Sequence, residues 1–402
     1  MKRILSLVCV LCFVPIAASA QFVKAVGHDF IKPDGSKLLI RGTNLGNWLV
    51  PEGYMWKLNG GPQGAQEIER FIELLLGPEK AGKFWQDYRD RYLTQADIDF
   101  LAHTGSNTIR VPLHWKFFTD PKGEGFRRLD QVVAWARAAK LYLILDLHSA
   151  PGGQTGTNID DSLGYPWIYE SASAQEQLLL VWRNLVKHYR KEPAILGYDL
   201  MNEPLPGYPG LEKYKPLLEP LFKRVTEAVR AIDQNHIIFL TGAHWDSDFK
   251  VLGAPFAANV AYTFHKYWMP PVEASIREYL DFREKYNVPI YIGETGENKD
   301  EWVADFRKLL EAHNVGWNFW PYKKMESTAG FVRFARPVHW DRIAAYGKLD
   351  DRTGSDDVKA RLAIRPTQAE IEECFADFLK QIELARCEPN RGYIEALGLK
   401  VP

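Results

Sequence analysis

Eight short β-rich runs recur along this chain, over 38–44, 108–113, 142–148, 195–202, 236–241, 260–267, 289–294 and 316–320. Nearly all are apolar at successive positions, the pattern of strands covered on both faces. Between most of them lie stretches with apolar residues at three- and four-residue steps, as in 175–189, 217–232, 271–286 and 299–313, which predict helices. Eight buried strands alternating with helices predict an α/β fold of one kind, a (β/α)8 TIM barrel in a single catalytic domain over 21–402. An open doubly wound sheet is the alternative. It usually carries a Gly-rich phosphate turn after its first strand, and none follows the first run here.

Two spacings depart from the barrel rhythm. Residues 51–93 separate the first two strands by more than one helix needs, and 150–171 form a Gly/Pro/Asp-rich loop after the third. Both insertions follow strand C-termini, where barrel loops build sites. Residues 330–362, of mixed polarity, read as a long excursion before the last helix.

The N-terminus bounds where such a chain works. Met1-Lys2-Arg3, an apolar run over 4–17 and the small-x-small triplet Ala18-Ser19-Ala20 predict a signal peptide over 1–20, cleaved after Ala20. The expected product is secreted or periplasmic, monomeric and without a membrane anchor, since no later run approaches the ~20 apolar residues of a spanning helix. A formal charge of −1 and the absence of long basic runs argue against nucleic acid as a partner. Thirteen Trp and eighteen Tyr instead suit face-stacking on sugar rings. Two of the four Cys fall in the signal segment, leaving Cys374 and Cys387. Residues 367–386 predict one amphipathic helix, which would hold that pair ~20 Å apart, far beyond the ~7 Å limit for a disulfide. No cofactor and no metal are expected: the first strand lacks a His-x-His pair, and no carboxylate-rich cluster accompanies His148 and His265 in the sequence.

The fourth run, "ILGYDLMNEP", ends abruptly in Asn202, Glu203 and Pro204. As a barrel strand it would set Asn202 and Glu203 at the C-terminal mouth, with Pro204 stopping the strand. The seventh run, "IYIGE", sets Glu294 at the same height. Two carboxyl groups facing each other suit cleavage of an acetal, where one protonates the leaving oxygen and the other attacks or stabilises the cation-like carbon. Polar companions stand in other runs: Arg110 in "NTIR", His148 in "LILDLH", His265 and Tyr267 in "YTFHKY", two apart and so on one strand face, and Trp320 in "WNFWPY".

Arg110, His148, Asn202-Glu203-Pro204, His265-x-Tyr267, Glu294 and Trp320, each at its own strand end and in this order, resemble glycoside hydrolase family 5, the cellulase-like family of retaining glycosidases. The resemblance runs from about residue 41 to residue 320 without a departure at these positions. It implies that Glu203 is the general acid/base and Glu294 the nucleophile of a double displacement on a β-linked oligosaccharide or polysaccharide. It further implies that Asn202 bonds the sugar 2-hydroxyl, Tyr267 holds the nucleophile and His265 borders the acid/base. By the same likeness Arg110 lowers the nucleophile's pKa, His148 positions substrate and Trp320 floors the sugar subsite. The stretches "RGTNLGNWLVPEGYMW" and "DLHSAPGGQTGTN" resemble the exo-β-1,3-glucanase and β-glucosidase branch of the family, whereas "NIDDSLGYPWIYES" departs from it. An endo-acting cellulase or mannanase-type β-1,4-glycanase and a non-catalytic sugar-binding barrel are the alternatives. Trp115, Trp167, Trp245 and Trp268 are candidate stacking platforms.

Overall fold

The computed structural model describes residues 21–162, 164–349 and 354–402. The signal segment expected over 1–20 lies outside the described residues. Eight parallel strands close into a barrel: β1 (Arg41–Asn44), β2 (Thr108–His114), β3 (Tyr142–Ser149), β4 (Ile195–Asp199), β5 (Ile237–Thr241), β6 (Val260–His265), β7 (Ile290–Glu294) and β8 (Gly316–Phe319). Each pairs with its sequence neighbours, and β8 pairs with β1 to complete the ring. Helices such as Glu124–Ala138, Ala172–Tyr189, Lys215–Arg230 and Asp300–Ala312 surround it. The helix expected over 271–286 begins only at Arg277, after a 3-10 turn at Glu273–Ser275. Pro270 and Pro271 precede that turn, and neither can donate a helical N–H bond.

Strand β3 shows why the sequence takes this form. Leu143, Leu145 and Leu147 join the core under the helices, while Ile144 joins the cluster inside the barrel. The inward positions, two apart, therefore run Ile144, Asp146, His148, from apolar to charged toward the mouth. At the other end a three-stranded antiparallel sheet (Lys24–Val26, Asp29–Ile31, Lys37–Leu38) brings Phe30 and Leu38 onto Leu196, Phe239 and Tyr291. Gly197 makes room there, since a Cβ would stand 2.3 Å from the Ile237 carbonyl and 2.8 Å from the Phe239 ring.

The first insertion is helical, with Ala65–Leu76 and Pro78–Tyr92 following a 3-10 turn at Gly53–Trp56. The segment over 330–362 supplies part of its partner. Trp56 packs on Trp85 (5.8 Å between ring centroids), Phe378 (4.8 Å) and Trp340 (6.4 Å), and the Trp340 indole donates to the Trp56 carbonyl at 2.8 Å. Buried Lys323 pins this annex to the barrel by donating to Asp97, the Tyr92 carbonyl and the Ile382 carbonyl, each at 2.8 Å. The single helix expected over 367–386 is broken. It ends at Gln381, and a separate 3-10 turn spans Leu384–Arg386. Cys374 and Cys387 are both free, with the Cys387 thiol 3.4 Å from the Glu383 carbonyl.

Candidate active site

At the mouth the chain concentrates buried charge around one guanidinium. Arg110 is not at a strand end as expected; it is the third residue of β2, and its fully buried side chain reaches upward from inside the barrel. Its Nε donates to Asp199 at 2.9 Å, Nη1 to Asn44 at 3.1 Å and to Glu294 at 2.6 Å, and Nη2 to Asn202 at 2.9 Å. Nη2 also lies 3.0 Å from Asp146. Burial opposes the charge of Arg110, but Asp146, Asp199 and Glu294 outweigh it and hold its pKa well above the usual value. Asp146 and Asp199 are each pushed up to about 7 by burial, against the pull of Arg110. Neither aspartate is among the residues expected from sequence. The signal was present, because an Asp in an otherwise apolar, doubly covered strand needs a buried partner.

Glu294 ends β7, where the register shifts against β6 between Ile292 and Glu294, a bulge that re-aims the side chain. One of its oxygens takes the Arg110 bond; the other accepts from the Tyr267 hydroxyl at 3.2 Å. Tyr267 lies two residues beyond the end of β6, whose last residue is His265. Opposite, β4 stops at Asp199, so Asn202 and Glu203 sit past the strand and Pro204 does not terminate it. The intervening turn carries Glu203 at φ 39°, in the left-handed region that directs its carboxyl across the mouth. Glu203 Oε1 and His265 Nδ1 are hydrogen-bonded at 2.8 Å. An oxygen of Glu203 and one of Glu294 come within 4.8 Å of each other, with the His265 ring beside both. Retaining glycosidases hold their two carboxyl groups about 5–5.5 Å apart, whereas inverting enzymes leave room for a water between them.

The two carboxyls differ in electrostatic setting. Burial and the charge of Glu294 push Glu203 well above the usual carboxylate range. Burial also raises Glu294, but Arg110 pulls it back, so the expected lowering by Arg110 acts as a partial offset. Burial lowers His148 to about 4, which leaves a neutral ring. That ring bonds Asp146 through Nδ1 at 2.8 Å, receives the Asn202 amide at 3.4 Å on Nε2, and lies parallel to Trp320 with centroids 5.6 Å apart. Gln154 of the long third loop donates to the carbonyls of His148 and Asn202, at 2.8 and 2.9 Å. Carboxylates do surround both histidines, contrary to the sequence expectation: Asp146, His148 and Glu294 form one group of ligand-type atoms, and Glu203, His265 and Glu294 another. Arg110, bonded to Glu294 and beside Asp146, already supplies the positive charge that such a group calls for.

A cavity of about 640 Å³ opens over this pair. Trp320, past the end of β8, forms one wall and donates to the Tyr54 hydroxyl at 2.8 Å; buried Glu52 lies beside them, both residues coming from the first insertion. Of the four loop tryptophans, Trp245 and Trp268 line the cavity, and Trp115 and Trp167 are not among its lining residues.

The likeness to known proteins agrees with this geometry. The family described as Cellulase (glycosyl hydrolase family 5) matches residues 76–326, more than half of the chain. A β-xylosidase of Phanerodontia chrysosporium is 30% identical over 394 residues, covering 86% of this chain and 81% of that protein. A probable glucan 1,3-β-glucosidase A of Aspergillus niger is 31% identical over 201 residues, 48% of each, so the match spans about half the length of that relative. Among solved structures, a β-glucanase from Saccharophagus degradans shares the fold with a TM-score of 0.55 at 18% identity, over 85% of this chain and 94% of that one. A charge-paired carboxylate and a raised carboxyl across a barrel mouth, in a chain with these relatives, have one reading: the protein belongs to glycosyl hydrolase family 5 and is a retaining β-glycoside hydrolase.

Proposed function

We propose that Glu294 attacks the anomeric carbon of a β-glucoside while Glu203 protonates the departing oxygen, and that the enzyme removes single sugars from the ends of β-1,3-linked glucans. The observation that carries the double displacement is the approach of the two carboxyls to within 4.8 Å. Arg110 and Tyr267 hold the nucleophile's two oxygens, which orients it and favours its ionised form against the effect of burial. Asn202, its amide oxygen committed to Arg110, turns its NH2 group toward the sugar 2-hydroxyl, a bond that strengthens in the transition state. His148 and Trp320, stacked together, position and floor the ring.

Attack at a chain end is supported by the first insertion, which sets Glu52 and Tyr54 against Trp320 and closes that side of the cavity. The relatives named glucan 1,3-β-glucosidase favour the β-1,3 linkage. The relative named β-xylosidase, matched over 394 residues, favours a second reading in which the sugar lacks the C6 hydroxymethyl. We take the catalytic unit to span 21–402 as a monomer, and the leader-like pattern of residues 1–20 in the sequence supports secretion or export to the periplasm. No helix of the described residues is long and apolar enough to cross a membrane.

Sizing the products from β-1,3-, β-1,4- and mixed-linkage oligosaccharides, with aryl β-glucoside and β-xyloside alongside, tests the reading. Release of glucose alone, fastest from β-1,3 chains, is expected. A ladder of intermediate oligosaccharides would replace it with endo action, and preference for the xyloside would replace the sugar. Replacing Glu203 by Ala should slow poor leaving groups roughly 10²–10⁴-fold while sparing activated aryl glycosides, because only the former need protonation. Equal losses on both would remove Glu203 from the acid role.

A further inference from the structure

After β5 the backbone does something its residues disfavour. His244, Trp245 and Asp246 hold consecutive left-handed conformations, at φ 54°, 58° and 56°, with no glycine among them. Side-chain-bearing residues seldom adopt such angles singly, and three in succession persist only where the surroundings enforce them. The turn sets His244 and Trp245 along the cavity and drives Asp246 beneath its floor, fully buried.

There Asp246 Oδ1 accepts the Gly242 N–H at 2.5 Å, and Oδ2 faces His265 Nε2 at 3.6 Å. Among the described residues neither Oδ2 nor Nε2 has a hydrogen-bond partner, and at 3.6 Å the two lie just beyond hydrogen-bond length of each other. The far nitrogen of the same ring, Nδ1, is the one bonded to Glu203. Gly293 keeps the approach clear, since a Cβ there would stand 2.9 Å from Nε2.

We propose that Asp246 is a positioning residue for the acid/base: its carboxyl donates to His265 Nε2, which fixes the ring proton on Nδ1, and Nδ1–H donates to Glu203 Oε1. The catalytic proton then resides on Glu203 Oε2, aimed at the leaving oxygen. In the first step that proton passes to the leaving group, and the carboxylate left behind keeps the Nδ1–H bond. In the second step the attacking water returns a proton to Oε2. Asp246 and His265 exchange none. The opposite tautomer would turn the Nδ1 lone pair on Glu203 and draw the catalytic proton onto Oε1, away from substrate. This inference rests on the assignment of Glu203 as the acid/base.

The charges facing these groups favour neutral partners. Burial, then Asp199 and Glu203, push Asp246 well above the usual carboxylate range, with Arg110 opposing. Burial pushes His265 well below its usual value, and the charge of Arg110 adds to that. Glu203 faces Glu294, Arg110, Glu52 and Asp146 in addition, and His265 Nδ1 also lies 3.8 Å from Glu294.

Asp246→Ala and Asp246→Asn test the idea together. The Ala variant should lose about 10- to 100-fold in kcat/KM on a poor leaving group and only a few-fold on an activated aryl glycoside. The alkaline limb of its pH profile should move upward, because the Glu203 carboxylate loses the correctly aligned Nδ1–H. In the Asn variant the amide oxygen can still accept from Gly242 and the NH2 can donate to Nε2, so most of the loss and the limb should be recovered. Equal losses on both substrates with an unmoved limb, or an Asn variant as impaired as Ala, would overturn the proposal. Should the Ala variant not fold, ¹⁵N resonances of the His265 ring in the intact enzyme decide, with Nδ1 protonated expected and Nε2 protonated overturning it. Glu203→Ala separates the two levels: normal leaving-group selectivity there means that the acid assignment itself has failed, whatever Asp246 does.

Discussion

The two ends of the barrel interior are built from opposite materials. Toward the strand N-termini, Phe30, Leu38, Ile40, Ile144, Leu196, Ile237, Phe239 and Tyr291 pack without a charge among them. Higher on the barrel strands stand Arg110, Asp146, Asp199, His265 and Glu294, with Glu203 in the turn past β4, all buried and all ionisable. The lower half gains from water exclusion in the ordinary way, at roughly 25 cal/mol per Å² of apolar surface. The upper half spends stability on desolvating groups whose only return is chemistry, and the raised pKa values of Asp146, Asp199, Asp246, Glu203 and Glu294 all report burial as the largest cause. A barrel can therefore be changed at one end for stability and at the other for activity, with little exchange between them.

The sharpest break of that comparison is Glu294→Gln. If Glu294 is the nucleophile as proposed, the substitution should remove roughly 10⁵-fold or more of turnover. Its stability should not fall. The folded-state pKa of Glu294 is raised above the unfolded value, so ionisation works against the fold once pH passes the unfolded value, and Gln removes that penalty. Thermal melts at neutral pH beside assays on an aryl β-glucoside check both halves. A variant that melts well below the parent would mean the mouth also holds the barrel together. The acid limb of the parent's own pH profile should report ionisation of Glu294 and the alkaline limb deprotonation of Glu203, the order their settings dictate.

The converse break is Phe239→Ala. Phe239 is fully buried, with its ring 4.9 Å from Tyr291 and 5.9 Å from Phe30. Its loss should cost about 3–5 kcal/mol by denaturant titration, while kcat of the folded fraction changes less than about twofold. A large fall in kcat at full folding would couple the two ends through the intervening strands.

Legibility in the sequence divides along the same line. The apolar lower barrel dictated eight strands by buried pattern alone, and each forms where it was expected to within a few residues. Glu203 and Glu294 were legible because a carboxyl that interrupts an apolar run must be justified by something. The same logic would have found Asp146 and Asp199, which lie inside those runs. Asp246 gave no such sign, since the left-handed run "HWD" contains neither of the residues, glycine and asparagine, that usually mark one. The helical annex was equally hidden. It joins Trp56 to Trp340, and contacts that distant in sequence leave no local period to read.

Trp268 gives the mildest test, at the rim where the two materials meet solvent. It is 71% exposed, lines the cavity and leans on Tyr267 with ring centroids 5.3 Å apart. An aromatic face of this kind contributes roughly 0.5–1.5 kcal/mol to a stacked partner. Trp268→Ala should therefore raise KM for oligosaccharides about 2- to 10-fold, leaving kcat and the melting temperature in place. The rise should vanish with an aryl glycoside too short to reach beyond the cleaved bond. If KM rises equally for both, Trp268 acts through Tyr267 on the nucleophile, and the rim is then part of the charged mouth rather than a platform laid over it.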